Sequence, residues 1–238
     1  MALYAIAAYP SRTEFHELVD ALNELSAVSF IETAAPGPSG FSEHTNATIA
    51  RALRASHADA SWLQALDHTR KPALWVLYQR AVDDRGYRQL ISDLATRAAG
   101  VILEWEEADI PAYAGPPREN GVEFVQCIAP WMPPKELVDV LSFVAPHGIV
   151  YMICAPKTGA ALFDLDRVKA CAESAKAIRP DIKILAGFGI ANASDATSMA
   201  RIEAIDGIVV GTAFLEALER GLHAALGLVR SIAQALAR

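Results

Sequence analysis

Residues 184–214 read ILAGFGIANASDATSMARIEAIDGIVVGTAF, and the order of signals in them is specific. A short apolar strand (Ile184 to Ala186) runs into the glycine turn Gly187-Phe188-Gly189. An amphipathic helix opens around Asn192 to Asp195, a second buried strand covers Asp206 to Val210, and a second turn follows at Gly211-Thr212. This is a strand–helix–strand unit with parallel strands. Each strand ends in glycine, where a missing Cβ lets the backbone present its N–H groups, and a helix starting at Thr212 would aim its positive end at the same place. Two such ends side by side make an anion cradle, the arrangement that follows strands seven and eight in many eight-fold βα barrels. The competing reading is that these glycines only make tight turns.

Working outward, the rest of the chain repeats the unit. Strands are predicted at Leu3 to Tyr9, Val28 to Glu32, Pro72 to Tyr78, Val101 to Trp105, Val122 to Ile128 and Ile149 to Cys154. With the two already named they make eight. Ser11 to Glu14 has capping-box spacing and opens a helix reaching about Leu25. Further helices are predicted at Asn46 to Ala55, within Arg85 to Ala98, from Pro133-Pro134 onward and at Leu165 to Ile178, with a helical turn or two in His57 to His68. Ile110 to Pro117 reads as a connection, and Leu215 to Arg238 as one final helix packed on the exterior through Leu218, Leu222, Ala225 and Leu226.

Eight βα steps in 238 residues give about thirty residues each, the size of a βα unit. The expected fold is therefore a closed (β/α)8 barrel of the TIM type, forming one domain over residues 1–238. An open doubly wound sheet would carry its glycine loop after the first strand, where this chain has Tyr9-Pro10.

Composition narrows the partners. The chain is 53% hydrophobic and 21% charged with net charge -7, and its Lys and Arg are dispersed. Nucleic acid and anionic membrane surfaces both require clustered basic residues, so neither is an expected partner. Cys127, Cys154 and Cys171 are widely spaced and form no CxxC pair, which fits reduced thiols in a cytoplasm. No signal peptide or membrane span is expected.

In such a barrel the chemistry sits at the carboxyl ends of the strands. Glu32 ends the otherwise apolar strand SFIE, where a carboxylate is costly to bury unless it is paired or used. Glu43 follows eleven residues later, on a loop that must fold over the mouth. Two carboxylates opposite a phosphate cradle suit proton transfer at a carbon and an oxygen of one phosphorylated substrate. The bland alternatives are a salt-bridged strand end and a solvated loop charge.

The segment IETAAPGPSGFSEHTNATIARAL resembles the tryptophan synthase α-subunit pattern LELGxPFSDPLADGPxIQ. Glu32 falls on that family's catalytic Glu, Glu43 on its second catalytic carboxylate, and Pro36 on a matching proline. KPALWVLY resembles the third-strand segment, placing Tyr78 on its tyrosine, and VYMICAPKTGA resembles the sixth-strand segment, matching Tyr151, Thr158 and Gly159. Residues 184–214 resemble AGFGI…GVVVGSA, matching Gly187, Phe188, Gly189 and Gly211, with Thr212 for Ser. The resemblance implies cleavage of indole-3-glycerol phosphate to indole and glyceraldehyde 3-phosphate. Glu32 would shuttle a proton between the ring carbon and the glycerol hydroxyl, and Glu43 would accept the ring N–H. Tyr78, Tyr151 and Phe188 would contact substrate. Gly159, Gly187, Gly189, Gly211 and Thr212 would hold the phosphate. No cofactor and no metal are implied.

The departures shape the expectation as well. SDPLADG has become PSGFSEHT, so the Asp is a longer Glu, its neighbour is Ser39, and His44 is added. That loop touches the β subunit in the family, so its rewriting points to a free-standing enzyme, with a β-type subunit as the alternative partner. The segment that usually precedes strand one is expected to be missing. Glu104 and Glu106 alternate onto one face and read as solvent-facing loop charges. Together with Glu32 they would otherwise suggest a magnesium-dependent aldolase or enolate enzyme. A Schiff-base lysine is not evident, because Lys157 lies on a loop and Lys183 precedes its strand. A third reading is a catalytically silent homologue that binds a phosphorylated ligand or a partner. Trp62, Trp75, Trp105 and Trp131 read as packing residues, and His16 as exposed.

Overall fold

Apolar residues at every second position of the predicted strands need cover on two sides, and closing the sheet on itself supplies one of them. In the computed structural model, which describes residues 1–35, 45–57, 62–104, 110–162 and 164–237, the parallel strands form a closed ring in sequence order. They are β1 (Ala2–Tyr4), β2 (Phe30–Ala34), β3 (Ala73–Tyr78), β4 (Gly100–Glu104), β5 (Glu123–Ile128), β6 (Ile149–Ile153), β7 (Lys183–Gly187) and β8 (Gly207–Val210). Outside lie α1 (Arg12–Asn23), α2 (Ala47–Ser56), α3 (Gln79–Arg85), α4 (Tyr87–Leu94), α5 (Ile110–Glu119), α6 (Pro134–Leu141), α7 (Leu165–Ile178), α8 (Ala193–Ala200), α9 (Thr212–Glu219) and α10 (Leu222–Leu236).

The strand period of two sorts side chains into separate clusters. Tyr4, Val76, Ile102, Val125, Tyr151, Leu185 and Val209 meet in the lumen. Their neighbours Leu3, Trp75, Val101, Val150, Ile184 and Ile208 pack outward with Phe15 and Leu18 of α1, Val168 of α7 and Val229 of α10. At the amino-terminal end of the barrel one carboxylate staples several elements. Asp206 accepts from the Ile184 N–H at 2.9 Å, from Lys176 Nζ at 2.8 Å and from Lys183 Nζ at 2.9 Å. Lys183 therefore serves the structure at the face away from the chemistry, as its position in sequence suggests.

Several boundaries differ from expectation, each for a local reason. β1 ends at Tyr4 rather than Tyr9, and Ala8 adopts φ 62° in the turn that follows. The expected helix within Arg85–Ala98 is two helices that meet at Gly86, and the expected final helix is α9 and α10, parted at Gly221. Those glycines have φ 75° and 108°, which L side chains rarely adopt. Ile110–Glu119 is helical despite Pro116 and Pro117. Proline removes the bond to the carbonyl four residues back, but the Tyr113 carbonyl instead accepts from the Tyr87 hydroxyl at 2.9 Å. α1 starts where predicted: Ser11 Oγ accepts from the Glu14 N–H at 3.3 Å and donates to Glu14 Oε2 at 2.7 Å. His16 is half-buried rather than exposed, its ring 4.9 Å from that of His68. Trp62 and Trp75 are buried against each other, whereas Trp131 is 44% exposed and not a core residue. Among the described residues no helix is long and apolar enough to cross a membrane.

Candidate active site

A cavity of about 230 Å3 opens at the carboxyl ends of the strands. Glu32 enters it because β2 alternates: Ile31 packs outward, so the next side chain turns into the lumen beside Tyr4, its register partner on β1. The Glu32 side chain is 4% exposed, and its Oε2 is buried without a hydrogen-bond partner. Removing the carboxylate from water raises the pKa from its ordinary 4.5 to about 8, with burial as the cause. Glu32 is therefore protonated at neutral pH, a carboxylic acid held in an apolar chamber and able to donate.

Around it stand phenols. The Tyr4 and Tyr78 hydroxyls lie 3.2 Å apart. Both pKa values are raised, first by burial. Tyr151 reaches the cavity from β6, with the Phe188 ring edge-on at 6.2 Å between centroids. Phe188 has φ 68°, unusual for a residue with a Cβ, and this conformation at the end of β7 accompanies its place in the lining. Cys127 lines the same wall, its thiol pushed up to about 12 by burial and then by the charges of Glu104 and Glu32.

The opposite wall carries Gly159, Gly189, Gly211 and Thr212. α9 begins at Thr212 with Gly211 as its N-cap and no side-chain cap bond. The first N–H groups of a helix have no intrahelical partners, so this end presents donors and positive potential. The Thr212 hydroxyl is buried there without a partner. No Lys or Arg is among the described lining residues, so an anion here would be held by backbone and hydroxyl donors. Gly187, expected in the same set, is not in the lining: a Cβ there would collide with the Tyr151 phenol, so this glycine makes room for that ring. A Cβ on Gly159 would fall 2.5 Å from Asn46 Nδ2, and the Asn46 N–H donates to Thr158 Oγ1 at 2.8 Å. Asn46 also caps α2, accepting from the Thr48 and Ile49 N–H groups at 2.9 and 3.2 Å.

The structure thus brings Glu32, Tyr78, Tyr151, Phe188 and four of the five expected phosphate residues to one cavity. Glu43, with Pro36, Ser39 and His44, lies outside the described residues, as do Trp105 and Glu106. Glu104 corrects the sequence reading. Expected as a solvent-facing loop charge, it closes β4, follows inward-facing Ile102 by two residues and lines the cavity. Tyr4 and Cys127 were missed. Their signal was the period of two, counted from Ala2 on β1 and from Val125 on β5, together with the true end of β1. Among the described residues no group of three His, Cys, Asp or Glu side chains is placed to hold a metal ion.

The family model for the tryptophan synthase alpha chain matches residues 2–236. The chain is 28% identical over 156 residues to the tryptophan synthase alpha chain of Neisseria meningitidis serogroup B, an alignment covering 63% of this chain and 57% of that one. It is 27% identical over 154 residues to the alpha chain of Janthinobacterium sp. (strain Marseille), covering 62% and 55%. These alignments span little more than half the length of the curated relatives. A solved tryptophan synthase structure from Mycobacterium tuberculosis superposes with TM-score 0.83 at 22% identity, covering 99% of this chain and 91% of that one. The tryptophan synthase complex from Pyrococcus furiosus gives TM-score 0.78 at 21% identity, covering 100% and 98%. At such identities the structural likeness speaks for the fold.

Proposed function

The chain belongs to the tryptophan synthase alpha chain family, and from that premise we propose that it is a carbon–carbon lyase cleaving indole-3-glycerol phosphate to indole and glyceraldehyde 3-phosphate. The observation that carries this is Glu32, a buried acid whose pKa is raised to about 8, standing in one cavity between aromatic walls and a set of backbone donors. Retro-aldol cleavage needs a proton delivered to the ring carbon that becomes the leaving group and a proton removed from the adjacent glycerol hydroxyl. A carboxyl that is neutral at pH 7 delivers the first, and the carboxylate so formed accepts the second, which returns Glu32 to its starting state. Phe188 and Tyr151 bound the space for the ring. Gly159, Gly189, Gly211 and the Thr212 hydroxyl hold the phosphate, with Gly187 acting through Tyr151. Glu43 accepts the ring N–H, as the resemblance of its loop implies.

The test is indole release by the purified protein given indole-3-glycerol phosphate, alone and with a tryptophan synthase β subunit. Release by the protein alone marks a free-standing lyase. Release only in the mixture marks a partnered one. Silence in both refutes the assignment and favours the ligand-binding homologue.

A further inference from the structure

In a ring of eight strands the ends of β3, β4 and β5 lie across the mouth from those of β7 and β8. A ligand whose phosphate is held at Gly211 and Thr212 therefore presents its organic half to Tyr78, Glu104 and Cys127. This wall is polar. Glu104 is the register partner of Tyr78, and the Tyr78 hydroxyl contacts that of Tyr4. After burial, the charge of Glu104 is the first cause raising both the Tyr78 hydroxyl and the Cys127 thiol, so the carboxylate faces both. A second acid, Glu32, keeps an oxygen buried and unpartnered in the same cavity.

An unsubstituted aromatic ring offers this wall only C–H edges. It would displace water from phenols and a carboxylate while giving no hydrogen bond in return, and sites built from such groups discriminate against ligands that leave them unanswered. A ring bearing an O–H or N–H at the edge remote from its phosphate chain would meet an ionised acceptor, the stronger kind of hydrogen bond. We propose that Glu104, with the Tyr4–Tyr78 pair beside it, is a specificity-determining residue. It selects a phosphorylated substrate whose aromatic half carries a hydrogen-bond donor, such as a ring-hydroxylated indole glycerol phosphate, over the unsubstituted compound. This rests on the lyase reading for the phosphate-bearing chain and extends it to the ring.

The test is calorimetric titration of the protein with indole and with indoles hydroxylated in turn at each benzo-ring carbon, glycerol 3-phosphate being present throughout. At least one hydroxyindole should bind about ten-fold or more tightly than indole, as a hydrogen bond to a charged acceptor provides. Glu104→Leu should bring the two within about two-fold of each other, while its affinity for glycerol 3-phosphate, unchanged, reports that it is folded. Glu104→Gln keeps an acceptor without the charge and should retain only part of the preference. The proposal is overturned if no hydroxyindole outbinds indole, or if the full preference survives in Glu104→Leu. Should that variant fail to fold, an undiminished preference in Glu104→Gln overturns it instead. Cleavage of plain and hydroxylated indole-3-glycerol phosphate, measured in parallel, separates the two readings. Turnover without a hydroxyl preference removes only the specificity assignment, and a hydroxyl preference without turnover of either compound removes only the lyase.

Discussion

Replacing Glu32 by Gln should stabilise the protein at alkaline pH and leave it close to wild type at acid pH. Burial keeps this carboxyl protonated up to about pH 8, against an ordinary value of 4.5. Below pH 4.5 the folded and unfolded chains both carry the proton, and the contribution to stability is complete. Between the two values only the folded chain holds it, so the native state binds more protons than the unfolded one and stability falls as pH rises. Above about pH 8 the contribution is gone. At about 1.36 kcal/mol per pH unit, the loss across this window is roughly 5 kcal/mol, comparable to the whole stability of a marginal domain. Gln has the shape of the neutral acid and no proton to lose. Urea unfolding of both proteins at intervals from about pH 5 to about pH 9 should therefore give curves that diverge steadily and then run parallel past about pH 8. Curves that stay parallel throughout would show that Glu32 is ionised in the folded protein, and the assignment of a buried neutral acid would fail.

Further outcomes follow from the same cavity. Glu32→Gln and Glu43→Gln should each abolish indole release while leaving the affinity for glycerol 3-phosphate nearly intact, and activity surviving both would remove the assigned roles. In the wild type, indole release should decline as pH rises through about 8, because the acid form of Glu32 is the one that protonates the ring carbon. Thr212→Val should weaken glycerol 3-phosphate binding about ten-fold or more without lowering the thermal midpoint, since the hydroxyl it removes is buried without a partner. Gly187→Ala should cost about 1–3 kcal/mol in urea unfolding and reduce indole affinity, because the new methyl collides with the Tyr151 phenol.

The barrel was legible because its determinants are local and periodic. Short apolar runs, the cap signals at Ser11, Asn46 and Asn192, and the glycines that follow β7 and β8 all act within a few residues of where they stand. Glu32 stood out for a similar reason, as a single carboxylate in an apolar strand. What escaped depends on contacts distant in sequence. Pro116 and Pro117 spoke against a helix, and only Tyr87, 26 residues before Tyr113, shows how the freed carbonyl is satisfied. The role of Gly187 is fixed by Tyr151 on the neighbouring strand, which no local pattern encodes. Glu104 was misread because a strand boundary placed one residue late, together with a run of acidic neighbours, made it look like part of a solvated loop.

The bond between Asn46 and Thr158 joins stretches 112 residues apart. Asn46 lies three residues after Glu43 in sequence, and Thr158 precedes Gly159 in the proposed phosphate cradle. With Gly159 packed so closely against the Asn46 amide, neither stretch can shift without the other. A ligand that favours one arrangement of Thr158 and Gly159 thereby favours one arrangement of the residue from which the acidic loop departs. Thermodynamic reciprocity then applies: whatever grips the chain ahead of Asn46, a partner subunit included, must change phosphate affinity by the same factor by which phosphate changes that grip. The acid end and the anion end of the cavity act as one cooperative unit.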